Sequence, residues 1–484
     1  MSISGAFNNA LSGLVATGRA SQVVSDNLAN ALTPGFGVRS LELSPRQIGD
    51  SGGVNVVGVT RNSDPQLVAD RRLATAEQSF QNATTQYLDK FEAVLGTPDQ
   101  TGSLTARLAD FENAIISAAS RPDAVERLGI VLQTASALTS GLADASSTLQ
   151  SMRSSADQTI GNQVNQLNGA LADLETINTR IVTQKLLGRD TSSMLDQRQS
   201  LIDDISEIVP VQIMERQNGG IALYSTSGAV LLDGSAAEFE FDPTPMVTPY
   251  MSLSGGQLSG ITVNGIPIDT SSSTGMLRGG SLAAQFAIRD DLAPNGQIQL
   301  DAIARDLVER FEDPNVDPTL GATDPGLFTD GGAALDPLAE LGLSERLTIN
   351  ALVDTAQGGD VWRLRDGLGA ASPGDPGNAT LFQNYSDALS ARRTPASGSF
   401  GLGVFSAVEL TAGLQSQIGS ERLLADRQLT FASTQVVEFQ QLELEQGVDS
   451  DAELQKLLLI EQAYAANARV IRAADEMMQQ LLGI

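Results

Sequence analysis

"SDNLANALTPGFG", residues 25–37, is where the chain first shows its architecture. Thr33 stands before a proline, which pushes its backbone out of the helical region, and Gly35 and Gly37 free the chain to turn. A helix arriving from the N-terminus therefore ends near Asn30 to Leu32. Upstream of that stop, Ile3, Phe7, Ala10, Leu14, Thr17, Ser21, Val24 and Leu28 recur in alternating steps of four and three, a heptad seam that weakens in its middle. The far end of the chain mirrors it. Leu457, Ile460, Tyr464, Asn467, Ile471, Ala474, Met478 and Leu481 form a more regular seam, with Asn467 its one plainly polar member and Arg469, Arg472 and Glu476 off it. Terminal heptad segments of similar length predict an antiparallel coiled coil, which brings the chain ends together and makes everything between them a nested insertion.

Charge is distributed in the same sense. The 484 residues hold 30 Lys and Arg against 58 Asp and Glu, a formal charge of −28. The first 38 residues carry only Arg19 and Asp26, and the last 33 carry four acids and three bases, so the ends hold about −1 of that total. An apolar stripe of about six large side chains, buried on one partner helix, offsets only part of the entropy of ordering such a segment. Neutral, apolar ends on so acidic a chain are expected to pack against copies of the chain or related subunits. Leu11 joins Ile3, Phe7, Leu14, Val24 and Leu28 as a candidate assembly residue of the first segment. Leu457, Ile460, Tyr464, Asn467, Ile471, Met478 and Leu481 are those of the last.

Long helices lie between. Leu128, Leu132, Ala135, Leu138, Leu142, Ala145, Leu149 and Met152 keep helical spacing. A second series follows at Ile160, Val164, Leu167, Leu171, Leu174, Ile177 and Ile181, with Gly161 and Gly169 as weak points. Further helices are predicted over 66–95 and from about Gln417 to Gln446. After "DDISEIVPVQIMERQNGG" (203–220) the period changes, with Val211 and Ile213 alternating with polar neighbours. Asn218-Gly219-Gly220 and Asn264-Gly265 then supply hairpin turns. The expected fold is mainly α with a β insert. A terminal-helix domain comprises 1–45 with 445–484, a long-helix bundle 46–206 with 276–444 (loop-rich over 316–400), and a small β domain 207–275.

Cysteine and histidine are absent, which removes disulfides, thiolate nucleophiles, the usual zinc sites and any triad that needs an imidazole. The acidic balance repels phosphates and anionic lipid, so neither nucleic acid nor a membrane surface is an expected partner. Runs such as Leu457-Leu458-Leu459-Ile460 fall far short of a membrane span, and no secretory signature follows Met1. Asp313, Asp317, Asp324 and Asp330 crowd one Asp-Pro-rich loop, where oxygen ligands for calcium are weighed against ordinary turn chemistry, and turn chemistry is favoured. Asn82 and Asn378 begin formal glycosylation sequons that chance explains. No catalytic residue, cofactor or metal is expected.

Two longer stretches carry a resemblance. "SGLVATGRASQVVSDNLANALTPGF" (12–36), with Asn27, Asn30, Thr33, Pro34, Gly35 and Phe36 as its signature, resembles the N-terminal motif of the flagellar rod, hook and hook-associated proteins. "LLLIEQAYAANARVIRAADEMMQQLL" (457–482) resembles the matching C-terminal motif. Within that family, "DPQLVADRRLATAEQSFQNATTQYLDKFEAVLG" (64–96) and residues 195–234 are similar to the hook–filament junction branch. Long helices following directly on the motif separate the chain from a hook subunit. The resemblance spans 1–315 and 400–484, and 316–400 only loosely. One departure is Gly37-Val38-Arg39-Ser40, where the family often has Ser-Arg-Gln.

The resemblance implies export through the flagellum's own channel and a structural role outside the cell. It implies a ring of about eleven copies, closed by head-to-tail contacts. Hook protein, a second junction protein and an export chaperone are the implied partners, with the terminal helices innermost and the β domain outward. The alternatives are a hook subunit, the second junction protein, or a cell-surface enzyme or carbohydrate-binding module using the β insert.

Overall fold

A computed structural model describes residues 3–33, 35–46, 52–271, 274–401 and 403–482, with side chains to residue 480. The chain begins as α1 (Ile3–Ala29), turns over 30–37, and continues as an antiparallel hairpin of β1 (Val38–Pro45) and β2 (Val54–Asn62). This hairpin overturns the expectation that long helices follow the turn directly, and with it the contrast drawn with hook subunits. It also straddles the boundary placed at 45/46. Val54, Val56, Val57 and Val59 favour a strand, but a bulge between Glu42 and Leu43 and the interior Gly58 break the alternation that would have revealed it.

Asp64 and Pro65 then start α2 (Pro65–Leu95), the Asp64 carboxylate accepting from Gln66 N and Leu67 N. Ser103 caps α3 (Leu104–Ser120) in the same way. The two apolar series expected at 128–152 and 160–181 form one helix, α4 (Val125–Leu186), whose 62 residues reach roughly 90 Å at 1.5 Å each. Gly161 does not interrupt it. A Cβ there would stand 2.6 Å from Pro243 Cγ, so the glycine marks where another segment crosses the helix.

After α5 (Ser192–Ile208) the insert forms two small antiparallel sheets. One is β3 (Val211–Glu215), β4 (Ile221–Ser225), β5 (Val230–Asp233) and β6 (Ser235–Ala236), in that order. The other is β7 (Phe239–Glu240), β8 (Thr262–Val263) and β9 (Ile266–Pro267). Both Asn-Gly turns take the left-handed backbone a tight hairpin needs, with φ of 56° and 75° at Asn218 and Gly219 and 52° and 75° at Asn264 and Gly265.

Helix resumes at α6 (Gly280–Ala287), a π-helical turn over Ile288–Leu292 and α7 (Ala293–Phe311). β10 (Phe328–Asp330) pairs with β11 (Leu347–Ile349), flanked by α8 (Leu343–Arg346), α9 (Arg363–Asp366) and α10 (Thr380–Ser390). α11 (Ala407–Glu445) starts ahead of the expected Gln417 because Ser406 and Glu409 form a reciprocal capping box. α12 (Ser450–Leu482) closes the chain.

Two cores lie along α4. Leu128 to Ala156 pack with α2, α3, α7, α10 and the start of α11. At their centre Phe328 stands edge-on to Phe311 and Phe111, with centroids 5.1 and 5.5 Å away. The stretch read as loop-rich is therefore core-forming, since it supplies Phe328, Leu347, Leu364, Phe382 and Tyr385. Its aspartates are occupied by turns. Asp313 accepts from Asn315 N, Asp317 from Thr319 N and Leu368 N, and Asp324 from Gly321 N, while Asp330 pairs with Arg346. Among the described residues no cluster of three or more His, Cys, Asp or Glu is placed to hold a metal ion.

Ile160 to Ile181 pack instead against α5, α6 and the strands, so the β insert shares its core with the second half of α4. Where the cores meet, the fully buried Arg289 lies 2.6 Å from Asp157 and grips Asp290 at 2.8 and 2.7 Å. Arg153 reaches Arg289 O, Thr248 O and Met251 O, and Asp157 accepts from Thr244 N, which lays the 243–251 loop across α4. Removing one partner from such a group leaves an uncompensated buried charge. Arg289→Met should accordingly cost about 3–5 kcal/mol in urea unfolding. Hydrogen exchange should rise on both flanks of residue 157 of α4.

Candidate assembly surface and its hinge

The turn after α1 is held by its own polar side chains. Asn30 donates through Nδ2 to Asp26 O and accepts Thr33 N at its carbonyl, closing the helix. Gly35 takes a φ of 74°, which a side chain would resist, and Phe36 lies under the Arg39 guanidinium, 4.9 Å from the ring centroid. Asn27 is buried and reads the first strand as another strand would. Its amide donates to Arg39 O at 2.8 Å and accepts from Arg39 N at 3.0 Å. Pro34 lies outside the described residues.

One carboxylate ties this turn to the rest of the protein. Asp196, on α5, accepts from Gly37 N at 3.1 Å, Arg39 Nη2 at 2.9 Å and Arg61 Nε at 2.6 Å, while Arg61 also reaches Gly35 O and Gln199. Gly37, the departure from the family's usual turn, is required here: a Cβ would collide with the Arg61 side chain. Beside it, Arg71 joins Asp203 and Glu443, each at 2.8 Å, and Arg72 meets Asp203 at 2.6 Å. Burial works to lower both guanidinium pKa values. At Arg71 the two carboxylates prevail and its pKa rises; at Arg72 burial prevails and its pKa falls. Both stay charged at any physiological pH. Between these clusters lies a cavity of about 390 Å³ whose wall includes Leu32, Phe36, Arg61, Arg71, Asp203 and Gly447.

α1 and α12 pack lengthwise against each other within a single copy. A third layer joins them. Ser12 and Asn27, on one helical face with Ala16 and Val23, bond to the hairpin through Val54 N and Arg39, so α1 is covered on two sides. Asn467 sits over Gly13, where a Cβ would stand 2.7 Å from its amide nitrogen; the polar seam residue fits because position 13 has no side chain.

Of the candidates, Val24 is buried, and Ile3, Phe7, Leu14, Leu457, Ile460, Asn467 and Ile471 are half-buried. Leu11, Leu28, Tyr464 and Met478 are exposed, and the side chain of Leu481 lies outside the described residues. The larger outward apolar residues were missed. Leu458 and Leu459 are 59% and 65% exposed, and on α11 Phe431 reaches 66%, with Leu424, Val437 and Leu444 also outward. Leu423, Thr430, Val437 and Leu444 repeat every seven residues, a signal that was present in the sequence.

Asn27→Ala would strip the Arg39 backbone of both partners, a loss of about 1–3 kcal/mol. It should speed exchange of the Arg39 amide while leaving α4 protected, as read by hydrogen–deuterium exchange.

The described helices include none long and apolar enough to cross a membrane. The flagellar hook-associated protein FlgK helical domain matches residues 88–316, from α2 through the β insert to α7. The C-terminal family of flagellar basal body rod FlgEFG proteins matches 445–484, a range that contains α12. The helical-domain match alone covers just under half of the chain. Flagellar hook-associated protein 1 of Bacillus subtilis is 22% identical over 501 aligned positions, covering 95% of this chain and 94% of its own length. Its Escherichia coli counterpart is 24% identical over 53% of this chain and 49% of its own. The matched region thus spans about half of that enteric relative. A solved FlgK from Burkholderia pseudomallei aligns with a TM-score of 0.43 and 17% identity, over 55% of this chain and 47% of that one. The chain is thus similar to the flagellar hook-associated protein 1 family.

Proposed function

We propose that the chain is a structural subunit of the bacterial flagellum, joining hook to filament by packing side by side with its own copies. The observation that carries this is the outward apolar surface of the terminal helices, Leu11, Leu28, Leu458, Leu459, Tyr464 and Met478, on a chain of charge −28. In this reading α1 and α12 form an antiparallel coiled-coil layer lining the tube, the α2–α4–α11 bundle a second layer, and the β insert the outer face. The ring of about eleven copies, the contacts with hook protein and a second junction protein, the export chaperone and delivery through the flagellar channel belong to the same reading.

The rival readings have less support. A hook subunit no longer fails on the absence of early strands, but the match over 88–316 is to the hook-associated helical domain. An enzyme or carbohydrate module using the insert would need a cleft there. The cavity at the hinge and a second one beside the α2–α3 loop both lie away from the strands of the insert.

The test is Leu458→Glu combined with Leu459→Glu. Both side chains are exposed, so thermal unfolding of the isolated chain should move little. Cells carrying this variant as their sole copy should show hooks bare of filaments and flagellin shed into the medium, by electron microscopy and immunoblot. Normal filament attachment would remove the basis of the proposal.

A further inference from the structure

We infer that the tight loop between α4 and α5 is a docking knuckle: Leu186 and Leu187, set between Lys185 and Arg189, seat on the acidic end of α11 in a neighbouring copy of the chain. This contact belongs to the side-by-side assembly proposed for the chain and rests on it. The knuckle has a fixed shape. Leu187 N donates to Gln184 O, Gly188 N to Lys185 O and Arg189 N to Gln184 O, and Gly188 takes a φ of 66°, which ends the helix in a glycine turn. Held in place, Leu186 and Leu187 are nevertheless 66% and 62% exposed. Paired outward leucines on a chain of charge −28 mark a surface that something covers. Residues 176–189 hold Arg180, Lys185 and Arg189 and no acid. Among the described residues none of those three cations stands in an ion pair.

The complementary surface is on the chain itself. Residues 428–455 hold six acids and no Lys or Arg. Glu438 and Glu445 are exposed there, and Leu442 and Leu444 also point outward. Leucines can thus meet leucines while the cations meet carboxylates, and the charges fix the register of the contact. Both surfaces flank one level of the molecule. Arg71 joins Glu443 of α11 to Asp203 of α5, and α5 runs from Asp203 back to Ser192, beside the knuckle, in about 16 Å at 1.5 Å per residue. Two unlike patches at one level suit a head-to-tail contact between copies set side by side.

Because the chain has no cysteine, Leu187→Cys with Leu444→Cys supplies its only thiols. Both native side chains are exposed, so the isolated variant should unfold as the parent does. Mild oxidation of purified hook–filament junctions built from it should yield a ladder of disulfide-linked multimers, where either single variant yields a dimer at most. Monomer alone from junctions that still carry filaments overturns this contact and leaves the assembly proposal standing, since the Leu458 and Leu459 variant tests that separately. Should the cysteines themselves prevent assembly, charge exchange decides. Lys185→Glu with Arg189→Glu, and Glu438→Lys with Glu445→Lys, should each leave hooks bare, and the four changes together should restore filaments. Filaments on either half-exchanged variant, or no recovery in the combination, overturn the inference.

Discussion

Both ends of this chain belong to one helical layer, and that constraint orders everything else. With α1 and α12 packed together and Asn467 seated over Gly13, the polypeptide must leave the layer and return to it. It does so at neighbouring points, 62–65 and 446–449, so the whole bundle hangs from one narrow place. Polar chemistry concentrates there because backbone leaving a helix needs partners and burial denies it water. Asn27 supplies those partners to Arg39, and Asp196 supplies them to Gly37.

Away from that place the organising element is α4. One helix of 62 residues serves two cores, and the change of partner occurs at a buried ionic group instead of at a break in the helix. Arg289 can satisfy Asp157 and Asp290 together because the π-helical turn at Ile288–Leu292 brings adjacent side chains to one buried point. The ion pairs align the β insert with the bundle, since the loop they hold leads directly into the second sheet.

Much of this was legible residue by residue. Asp64-Pro65 starts α2, the Asn-Gly pairs turn the hairpins, and the heptads of the termini run the length of α1 and α12. The early hairpin was not legible, because a bulge and a glycine blur its alternation over few residues. Nor was the third layer over α1, since periodicity shows that a face is apolar without showing what covers it. Val23 and Ala16 lie off the seam and are nevertheless buried, because the layer that covers them is that same unread hairpin.

By itself the sequence determined where α1 stops and where α2 starts, that the ends are neutral and apolar on an acidic chain, and that imidazole and thiol chemistry are absent. These follow from local sterics, periodicity and composition, which act over a few residues at a time. Tertiary structure alone decided that Asp196 is a hub. In "LDQRQ" it reads as one more charge on a helix, and its partners lie 159, 157 and 135 residues away, brought to it only when the chain folds back through the hinge.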